Sequence, residues 1–183
     1  SFPTRRSSDL INLLSQYLNK SKIELGQLEY VFTRFDMVQL INEILTTFQI
    51  HAEQKGVSLT KVLDNKEKCY VYADQGKLRE VVTNILDNAI KYTPSGSINV
   101  LLSVKDGKII ISFIDTGVGI TKETMPILFR EFSRADLQKV NILGTGLGLY
   151  LAKTFMEGNN GRVWAASEGK NKGSQFYLEL PEA

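Results

Sequence analysis

The amino-acid sequence predicts an α+β fold that is preceded by a long helix. Four stretches carry apolar residues at the three- and four-residue steps of an amphipathic helix. The short runs between them are rich in β-branched and aromatic residues, as strands are. Two of these runs are joined by residues 105–108, whose Asp106-Gly107 step is a hairpin-turn signal. The chain has 183 residues, 43% hydrophobic and 23% charged, which is the composition of an ordinary globular domain.

The first element is a helix predicted from Leu10 to about Phe32. Its apolar residues recur on one helix face and are Leu10, Leu14, Tyr17, Leu18, Leu25, Leu28 and Phe32. Residues 1–10 lack such periodicity, and a codon string that matches a common sequencing-library adapter encodes them in order. We therefore expect residues 1–10 to be a non-native leader, and the helix that follows to need a partner for its apolar stripe.

A second helix is predicted over residues 36–55 and a third over residues 74–92. Aspartate at the start of each is a suitable N-cap. Gly56 ends the second helix, and Thr93-Pro94-Ser95-Gly96 ends the third. Two short strands are predicted between these helices, at Val57–Val62 and Cys69–Tyr72.

A β-hairpin is predicted next, with strands at Ile98–Val104 and Ile109–Ile114. Residues 115–148 form a long glycine-punctuated segment with one short helical piece at 126–132, and long loops in compact domains are usually either functional or disordered. The last predicted elements are a helix and two strands, at Thr145–Met156, Arg162–Ala166 and Gln175–Leu180.

The composition disfavours several classes of protein. No stretch approaches the roughly 18 apolar residues of a membrane-spanning helix, and the start of the chain lacks the layout of a signal peptide. The 22 basic and 20 acidic residues are scattered and give a net charge of +2, so we expect no nucleic-acid binding. Cys69 is the only cysteine, which excludes an internal disulfide. These features predict a cytoplasmic setting.

The first candidate site motif is Asn84-Ile-Leu-Asp-Asn88-Ala-Ile-Lys91-Tyr92 on the third predicted helix. Residues three or four apart share a helix face, so Asn84, Asn88 and Lys91 should point the same way. Amide oxygens are suitable ligands for a hard cation such as Mg²⁺, and a lysine can offset phosphate charge. Read alone, the two asparagines also fit an ordinary solvent-facing helix surface.

Two glycine-rich motifs follow. Asp115-Thr116-Gly117-Val118-Gly119-Ile120 comes directly after a strand, where glycine lets the backbone approach a ligand and the aspartate can accept a hydrogen bond from an exocyclic amine. A tight turn out of the sheet is the alternative. Gly144-Thr145-Gly146-Leu147-Gly148-Leu149 stands at the entry to a helix, where backbone N–H groups form an anion site that suits a triphosphate. It is not a Walker A loop, because no Gly-Lys-Ser/Thr follows.

In this order, the three motifs resemble the N, G1 and G2 boxes of histidine kinases and their Bergerat-fold ATPase relatives. Leu128-Phe129-Arg-Glu-Phe132-Ser-Arg134 resembles the kinase F box, and residues 173–181 resemble the last strand of the family. The resemblance implies a Bergerat two-layer α/β sandwich with a mixed, mostly antiparallel sheet packed on about three helices. It also implies a remnant second dimerisation helix at 11–33 and an ATP-binding catalytic domain at 34–183.

The resemblance implies that these residues bind Mg·ATP. Asn88 would coordinate the Mg²⁺, Asn84 and Lys91 would contact phosphate, and Tyr92 would stack near the adenine. Asp115 would accept a hydrogen bond from the adenine amino group. The remaining positions would shape the base pocket (Gly117 and Gly119), border the phosphates in a mobile ATP lid (Gly144, Thr145, Gly146, Leu147 and Gly148) and reach the γ-phosphate (Arg134).

One position separates a kinase from a hydrolase. Bergerat-fold enzymes that hydrolyse ATP carry a glutamate, the general base for water, four residues before the Mg²⁺-binding asparagine. Asn84 stands there and cannot take a proton, so transfer to a protein acceptor is expected instead. Two alternatives remain open. The first is an anti-sigma-type serine kinase, which has the same ATP-binding fold but needs neither the leading helix nor its linker, so the pattern of residues 10–50 disfavours it. The second is a non-catalytic interaction domain, which is disfavoured by the intact Asn88, Asp115 and Gly144–Gly148 loop.

Nothing in the chain resembles the phosphoacceptor helix of these kinases. His51, the only histidine, lacks the acceptor's surroundings and is predicted to be a structural or surface residue, while Cys69 and Trp164 are predicted to pack. We expect the chain to bind Mg·ATP without phosphorylating itself. The resemblance implies that the intact parent is a homodimer anchored in the inner membrane. It would transfer the γ-phosphate to its own histidine and then to an aspartate of a response-regulator receiver domain.

Overall fold

A computed structural model describes residues 3–63, 68–131 and 145–183. Within them the elements are α1 (Pro3–Glu24), β1 (Thr33–Asp36), α2 (Met37–Lys55), β2 (Val57–Leu63), β3 (Tyr70–Ala73), α3 (Gln75–Tyr92), β4 (Gly96–Lys105), β5 (Lys108–Asp115), a 3₁₀ turn (Met125–Ile127), α4 (Gly148–Gly158), β6 (Arg162–Ala166) and β7 (Ser174–Pro181).

Five of the strands form one mixed sheet in the order β2-β4-β5-β7-β6. β2 runs parallel to β4, whereas the other neighbouring pairs are antiparallel. β1 and β3 pair separately as a small antiparallel ribbon. With α2, α3 and α4 packed on the sheet, this is the predicted two-layer sandwich, so the predicted fold class is confirmed.

The core lies between one face of the sheet and the helices. Val100 of β4 pairs with Phe113 of β5, which pairs in turn with Phe176 of β7, and all three side chains are buried. Ile85 of α3 and Phe155 of α4 are fully buried as well. Burying a side chain of this size contributes about 1.5–3 kcal/mol. The core therefore fixes α3 and α4, and with them the ends of the strands that lead into the glycine-rich turns.

The predicted helix caps are confirmed. Asp36 accepts a hydrogen bond from the backbone N–H of Val38 at 3.0 Å, and Asp74 accepts one from that of Lys77 at 2.9 Å. Gly56 follows α2 in the left-handed conformation, with φ of 74°, which glycine adopts without steric cost.

The first helix was misplaced by the sequence prediction. α1 begins at Pro3 and ends at Glu24, whereas the apolar pattern predicted a helix from Leu10 to Phe32. Gly26 takes a φ of 64°, and the backbone N–H of Gln27 donates to the carbonyl of Lys22 at 2.8 Å, which closes the helix. The remaining apolar residues lie on the segment that leads to β1, a strand the sequence did not predict.

Two predictions in the second half of the chain also need correction. The helical piece at 126–132 is reduced, in the described residues, to a 3₁₀ turn at Met125–Ile127. The helix predicted from Thr145 to Met156 spans Gly148–Gly158. Its start is shifted because Gly146 has a φ of 70° and the Thr145 hydroxyl accepts from the backbone N–H of Leu147 at 3.2 Å.

α1 lies against the sandwich through polar side chains. Gln16 and Asn19 are each only 8% exposed. The amide of Asn19 donates to Glu80 of α3 at 2.9 Å, and Gln16 accepts from the Thr145 hydroxyl at 2.7 Å. Five apolar residues of α1 are exposed, namely Leu10, Ile11, Leu14, Tyr17 and Leu18, whereas Ile23 near the end of the helix packs against the core. Among the helices of the described ranges, none has the length and apolar character needed to cross a bilayer.

Candidate functional site

The first motif lies on α3, which runs without interruption through all of its residues. Asn84 is 6% exposed, and its amide Nδ2 donates to the backbone carbonyl of Gly148 at 3.2 Å. A Cβ on Gly148 would lie 3.5 Å from Cγ of Asn84, so the start of α4 rests on this side chain. The structure thus brings the first and third motifs into direct contact.

Asn88 and Lys91 lie farther along α3, and both are half-buried. Burial lowers the pKa of the Lys91 amine because it desolvates the ammonium group, while the carboxylate of Asp87 acts in the opposite direction. The Lys91 Nζ lies 5.4 Å from the centroid of the Tyr92 ring. A partly desolvated cation gains more from an anionic partner than an exposed one does, which suits contact with phosphate.

Asp115 ends β5 with its carboxylate buried and held from two directions. Its Oδ1 accepts from the backbone N–H of Gly117 at 2.8 Å and from that of Ser174 at 3.2 Å. Its Oδ2 accepts from the Ser174 hydroxyl. Three donors therefore fix the carboxylate of Asp115, and an orientation fixed in advance is what recognition of a planar ligand edge requires.

The backbone packs too closely around the second motif for most residues other than glycine. A Cβ on Gly117 would lie 2.2 Å from the Tyr92 carbonyl oxygen, and one on Gly119, where φ is 72°, would lie 2.0 Å from the carbonyl oxygen of Gly169. The backbone N–H of Val118 donates to the same Tyr92 carbonyl at 3.0 Å. The second motif is thus tied to the end of the first, as a ligand-binding turn built on α3 would be.

The third motif is described from Thr145 onward. Leu147 is buried, and the backbone N–H of Leu151 donates to its carbonyl as α4 begins. α4 has eleven residues, so its N-terminus carries the unpaired N–H groups of a full helix end, which attract anions. Gly144, Phe132 and Arg134 lie outside the described residues.

Two residues beside this site were not predicted to take part in it. Ser174 was read only as part of the last strand, and Thr93 only as part of a helix stop. Ser174 contacts Asp115, and Thr93 lies beside Gly117, whose added Cβ would be 2.9 Å from the Thr93 hydroxyl oxygen. The position of Ser174, between a glycine and a strand, is a local sequence signal that could have identified it. No local sequence signal indicates that Thr93 is buried.

The residues predicted to have structural roles are found in such settings. Cys69 is fully buried in the core. His51 is exposed on α2, with its ring edge-on to Phe48 at 5.8 Å between centroids. Trp164 stacks on Tyr177 across β6 and β7, with centroids 5.1 Å apart.

Comparison with known proteins gives a consistent result. Residues 73–183 match the family model described as histidine kinase-, DNA gyrase B- and HSP90-like ATPase. The sensor protein GacS of Pseudomonas syringae pv. syringae is 31% identical over 98% of the chain, which covers 20% of GacS. The sensor histidine kinase WalK of Bacillus subtilis is 33% identical over 94% of the chain, which covers 29% of WalK. The chain thus spans between a fifth and a third of the length of these relatives.

Solved structures show the same similarity in three dimensions. Full-length ShkA in complex with AMPPNP superposes with a TM-score of 0.82 at 25% identity, over 98% of the chain and 37% of ShkA. The catalytic domain of the histidine kinase ThkA superposes with a TM-score of 0.71 at 28% identity, over 83% of the chain and 96% of that domain.

Proposed function

Because the chain belongs to the family of histidine kinase-, DNA gyrase B- and HSP90-like ATPases, we propose that it binds Mg·ATP as the catalytic part of a two-component sensor histidine kinase. The observation that carries this proposal is the convergence of the three motifs on α3. Asn84 contacts Gly148 of the third motif, and the carbonyl of Tyr92 holds the second motif through Val118. One helix thereby joins the groups suited to the base with those suited to the phosphates.

The base end of the site is the Asp115 carboxylate with the Gly117 turn beside it. An ionised carboxylate is acceptor-only, so it pairs with the exocyclic amino group of adenine and not with a carbonyl oxygen at the same place. The phosphate end comprises the Lys91 amine and the N-terminus of α4, where Thr145, Gly146, Leu147 and Gly148 stand. Both offer positive charge or N–H donors to an anion.

We assign Asn88 as the protein ligand of the Mg²⁺ that accompanies the nucleotide. Among the described residues, no group of three or more His, Cys, Asp or Glu side chains converges as a metal cage would. Mg²⁺ that bridges phosphates keeps several waters and takes only one or two ligands from the protein, and an amide oxygen is a hard ligand of the right kind. The amide oxygen of Asn88 is therefore suited to a metal that arrives with ATP and would help to neutralise the charge of its phosphates.

Phosphate transfer, and not hydrolysis, is the expected chemistry because of Asn84. Its amide cannot accept a proton, and its Nδ2 is already bonded to the carbonyl of Gly148. A side chain in that role can position α4 but cannot act as a general base for water. The proposed acceptor is a histidine on a dimerisation helix of the parent protein. On this proposal, the 183-residue chain does not phosphorylate itself on a histidine of that kind.

Calorimetric titration with Mg·ATP tests the nucleotide site. Wild type should bind ATP, Asn88→Ala should weaken binding mainly when Mg²⁺ is present, and removal of Mg²⁺ with EDTA should reduce the difference between them. Asn12→Ala makes the same change at an exposed position of α1 and should bind as wild type does. A folded wild-type chain that binds no ATP would contradict the proposal and leave a non-catalytic interaction domain as the better explanation.

α1 is proposed to belong to the dimerisation region of the parent, as residues 11–33 were expected to. Ile11, Leu14 and Leu18 of α1 are exposed, and their steps of three and four are those of a helix seam that packs against other helices. Light scattering tests this, because wild type should self-associate with rising concentration and Leu14→Lys should reduce that association. A wild-type chain that stays monomeric at all concentrations would refute it.

The remaining proposals concern the parent protein. We propose that it passes phosphate to the receiver domain of a response regulator, a proposal supported by the fold similarity to ThkA in its solved complex with the response regulator TrrA. Mixing a chain extended by the phosphoacceptor helix with a purified receiver domain and labelled ATP tests this step. We propose in addition that the parent protein is anchored in a membrane. We also propose that residues 1–10 are a non-native leader, which resequencing of the locus without adapter carry-over tests.

A further inference from the structure

The turn between β6 and β7, residues 167–173, is bonded to the second motif. The backbone N–H of Asn171 donates to the Val118 carbonyl at 2.6 Å, and that of Gly173 donates to the Gly117 carbonyl at 3.1 Å. The end of α3 is bonded to the same motif through the N–H of Val118. The position of the second motif at the base end of the site therefore depends on this turn as well as on α3.

The Ser167 hydroxyl lies at the centre of this contact. It accepts from the backbone N–H of Ile120 at 3.0 Å and from that of Gly169 at 3.2 Å, and it donates to the Gly173 carbonyl at 2.6 Å. A serine hydroxyl has one proton and two lone pairs, so its hydrogen-bonding capacity is fully used. Ser167 is half-buried, and alanine at this position could form none of these bonds.

The three bonds of Ser167 differ in what they support. Those with Gly169 and Gly173 lie within the turn and stabilise its shape. The bond from Ile120 leaves the turn and holds the backbone directly after Gly119, where an added Cβ would lie 2.0 Å from the Gly169 carbonyl oxygen. This bond therefore has a consequence outside the turn, because it sets where the glycines of the second motif lie.

Ser167 is also linked to the carboxylate of Asp115. The Gly173 carbonyl, to which it donates, precedes Ser174, whose backbone N–H and hydroxyl both donate to Asp115. A Cβ on Gly173 would lie 2.1 Å from the Asp115 carbonyl oxygen, so the two backbones are in contact. One hydroxyl thus joins the glycine turn to the segment that holds the carboxylate, and these are the two parts of the base end.

We propose that Ser167 is a positioning residue for recognition of the base. It acts through Ile120 and Gly173, and it fixes the second motif relative to the Asp115 carboxylate. This inference rests on the proposed Mg·ATP site and deepens it, because it assigns part of the selectivity for adenine to a residue outside the three motifs. Without the hydroxyl the two parts of the base end can shift relative to each other, and misplaced groups discriminate poorly between bases.

The test is calorimetric titration of wild type, Ser167→Ala and Ser167→Thr with Mg·ATP and with the Mg²⁺ complex of inosine triphosphate (ITP), which has a carbonyl oxygen in place of the amino group. Wild type should bind ATP more tightly than ITP. Ser167→Ala should raise the Kd for ATP about fivefold and lower the preference for ATP over ITP about threefold. Ser167→Thr keeps a hydroxyl and should restore that preference. Ser103→Ala, the same change near the far end of the β4–β5 hairpin from Asp115, should bind both nucleotides as wild type does.

A hydrogen-exchange measurement on wild type tests the central bond without a variant. The Ile120 amide should exchange slowly in the absence of nucleotide, because the Ser167 hydroxyl holds its proton. Rapid exchange of this amide in the folded chain would overturn the inference, even if Ser167→Ala did not fold.

Other results would overturn the inference and leave the proposed function intact. One is a Ser167→Ala chain that melts at a lower temperature but keeps the affinities of wild type, which would be a purely structural effect. Another is an equal loss of ATP and ITP binding, which would mean that the turn supports the whole site and not the base. A third is a loss of preference in Ser167→Thr as large as in Ser167→Ala. If wild type bound neither nucleotide, the proposed function itself would fail and this inference with it.

Discussion

Replacement of Asp115 by asparagine separates recognition of the base from support of the fold. Asn keeps an oxygen where Asp115 Oδ1 accepts from the backbone N–H groups of Gly117 and Ser174, at 2.8 and 3.2 Å. Its NH₂ then takes the place of Oδ2, where the Ser174 hydroxyl can turn and accept. The unfolding free energy of Asp115→Asn should therefore stay within about 1 kcal/mol of wild type.

Nucleotide binding should respond differently to this substitution. The new NH₂ would face the adenine amino group, donor against donor, so a hydrogen bond to a charged acceptor is lost. Such a bond is worth about 1.5–3 kcal/mol net. At about 1.4 kcal/mol per tenfold, the Kd for Mg·ATP should rise by about 10- to 140-fold. Inosine triphosphate presents a carbonyl oxygen at that place, so the same substitution should weaken its binding much less or strengthen it.

Asp115→Ala is the matched comparison. It leaves two buried N–H groups without acceptors, at about 1–3 kcal/mol each, so urea unfolding should show a loss of about 2 kcal/mol or more that Asp115→Asn does not show. Calorimetry and urea unfolding on the same preparations measure both effects. If Asp115→Asn bound ATP as tightly as wild type, Asp115 would not contact the base amino group. If Asp115→Ala were as stable as wild type, the network around Asp115 would not support the turn.

Three further predictions rest on the same structure, and the first has a matched control substitution. Gly117→Ala should lower the free energy of unfolding, measured in urea, by about 1–3 kcal/mol and weaken ATP binding, because its Cβ would meet the Tyr92 carbonyl oxygen at 2.2 Å. Gly76→Ala, which meets nothing closer than 3.4 Å, should do neither. Burial raises the pKa of the Glu80 carboxyl, so the folded state favours its protonated form. The stability gained from the protonated form is lost as pH rises through the raised pKa, because the buried carboxyl must then carry a charge. Glu80→Gln should therefore be more stable than wild type at pH 7 but not in acid below about pH 4. Hydrogen bonds from Arg162 and Lys108 lower the pKa of the Glu179 carboxyl in the folded state. Its contribution to stability is therefore fully present above the pKa of the unfolded chain and is lost as pH falls through the lower pKa of the folded state. Glu179→Gln should therefore cost about 0.5–1 kcal/mol at pH 7 and progressively less on acidification, and equal losses at both pH values would contradict this.

The sequence predicted those features that depend on residues close together in the chain. The caps at Asp36 and Asp74 involve a side chain and a backbone N–H two or three residues on, so residue type alone is informative. The predicted end of α1 was wrong because the apolar pattern continues past Gly26. Periodicity of apolar residues does not show where the backbone leaves the helical conformation. β1 was missed because its four residues become a strand only by pairing with β3.

The candidate site followed the same division. The asparagines of α3 and the Asp115 turn were found from spacing and from the motifs that they resemble. The contact between Asn84 and Gly148 joins residues 64 positions apart, so no local pattern carries it. Thr93 escaped for a further reason, since a threonine before a proline is ordinary in sequence. Only its burial and its place beside Gly117 set it apart.

α3 links the stability of the fold to its chemistry. Its apolar face contributes Leu78, Ile85 and Leu86 to the core, while Asn84 on the same helix is bonded to the first residue of α4. A helix held by its core face cannot turn to relieve a clash on the site face, because packed interiors deform little. The spacing between the base and phosphate ends is thus fixed by packing before any nucleotide arrives. Core substitutions under α3 should therefore reduce nucleotide affinity as well as stability, whereas equal losses of stability in β6 should leave affinity unchanged.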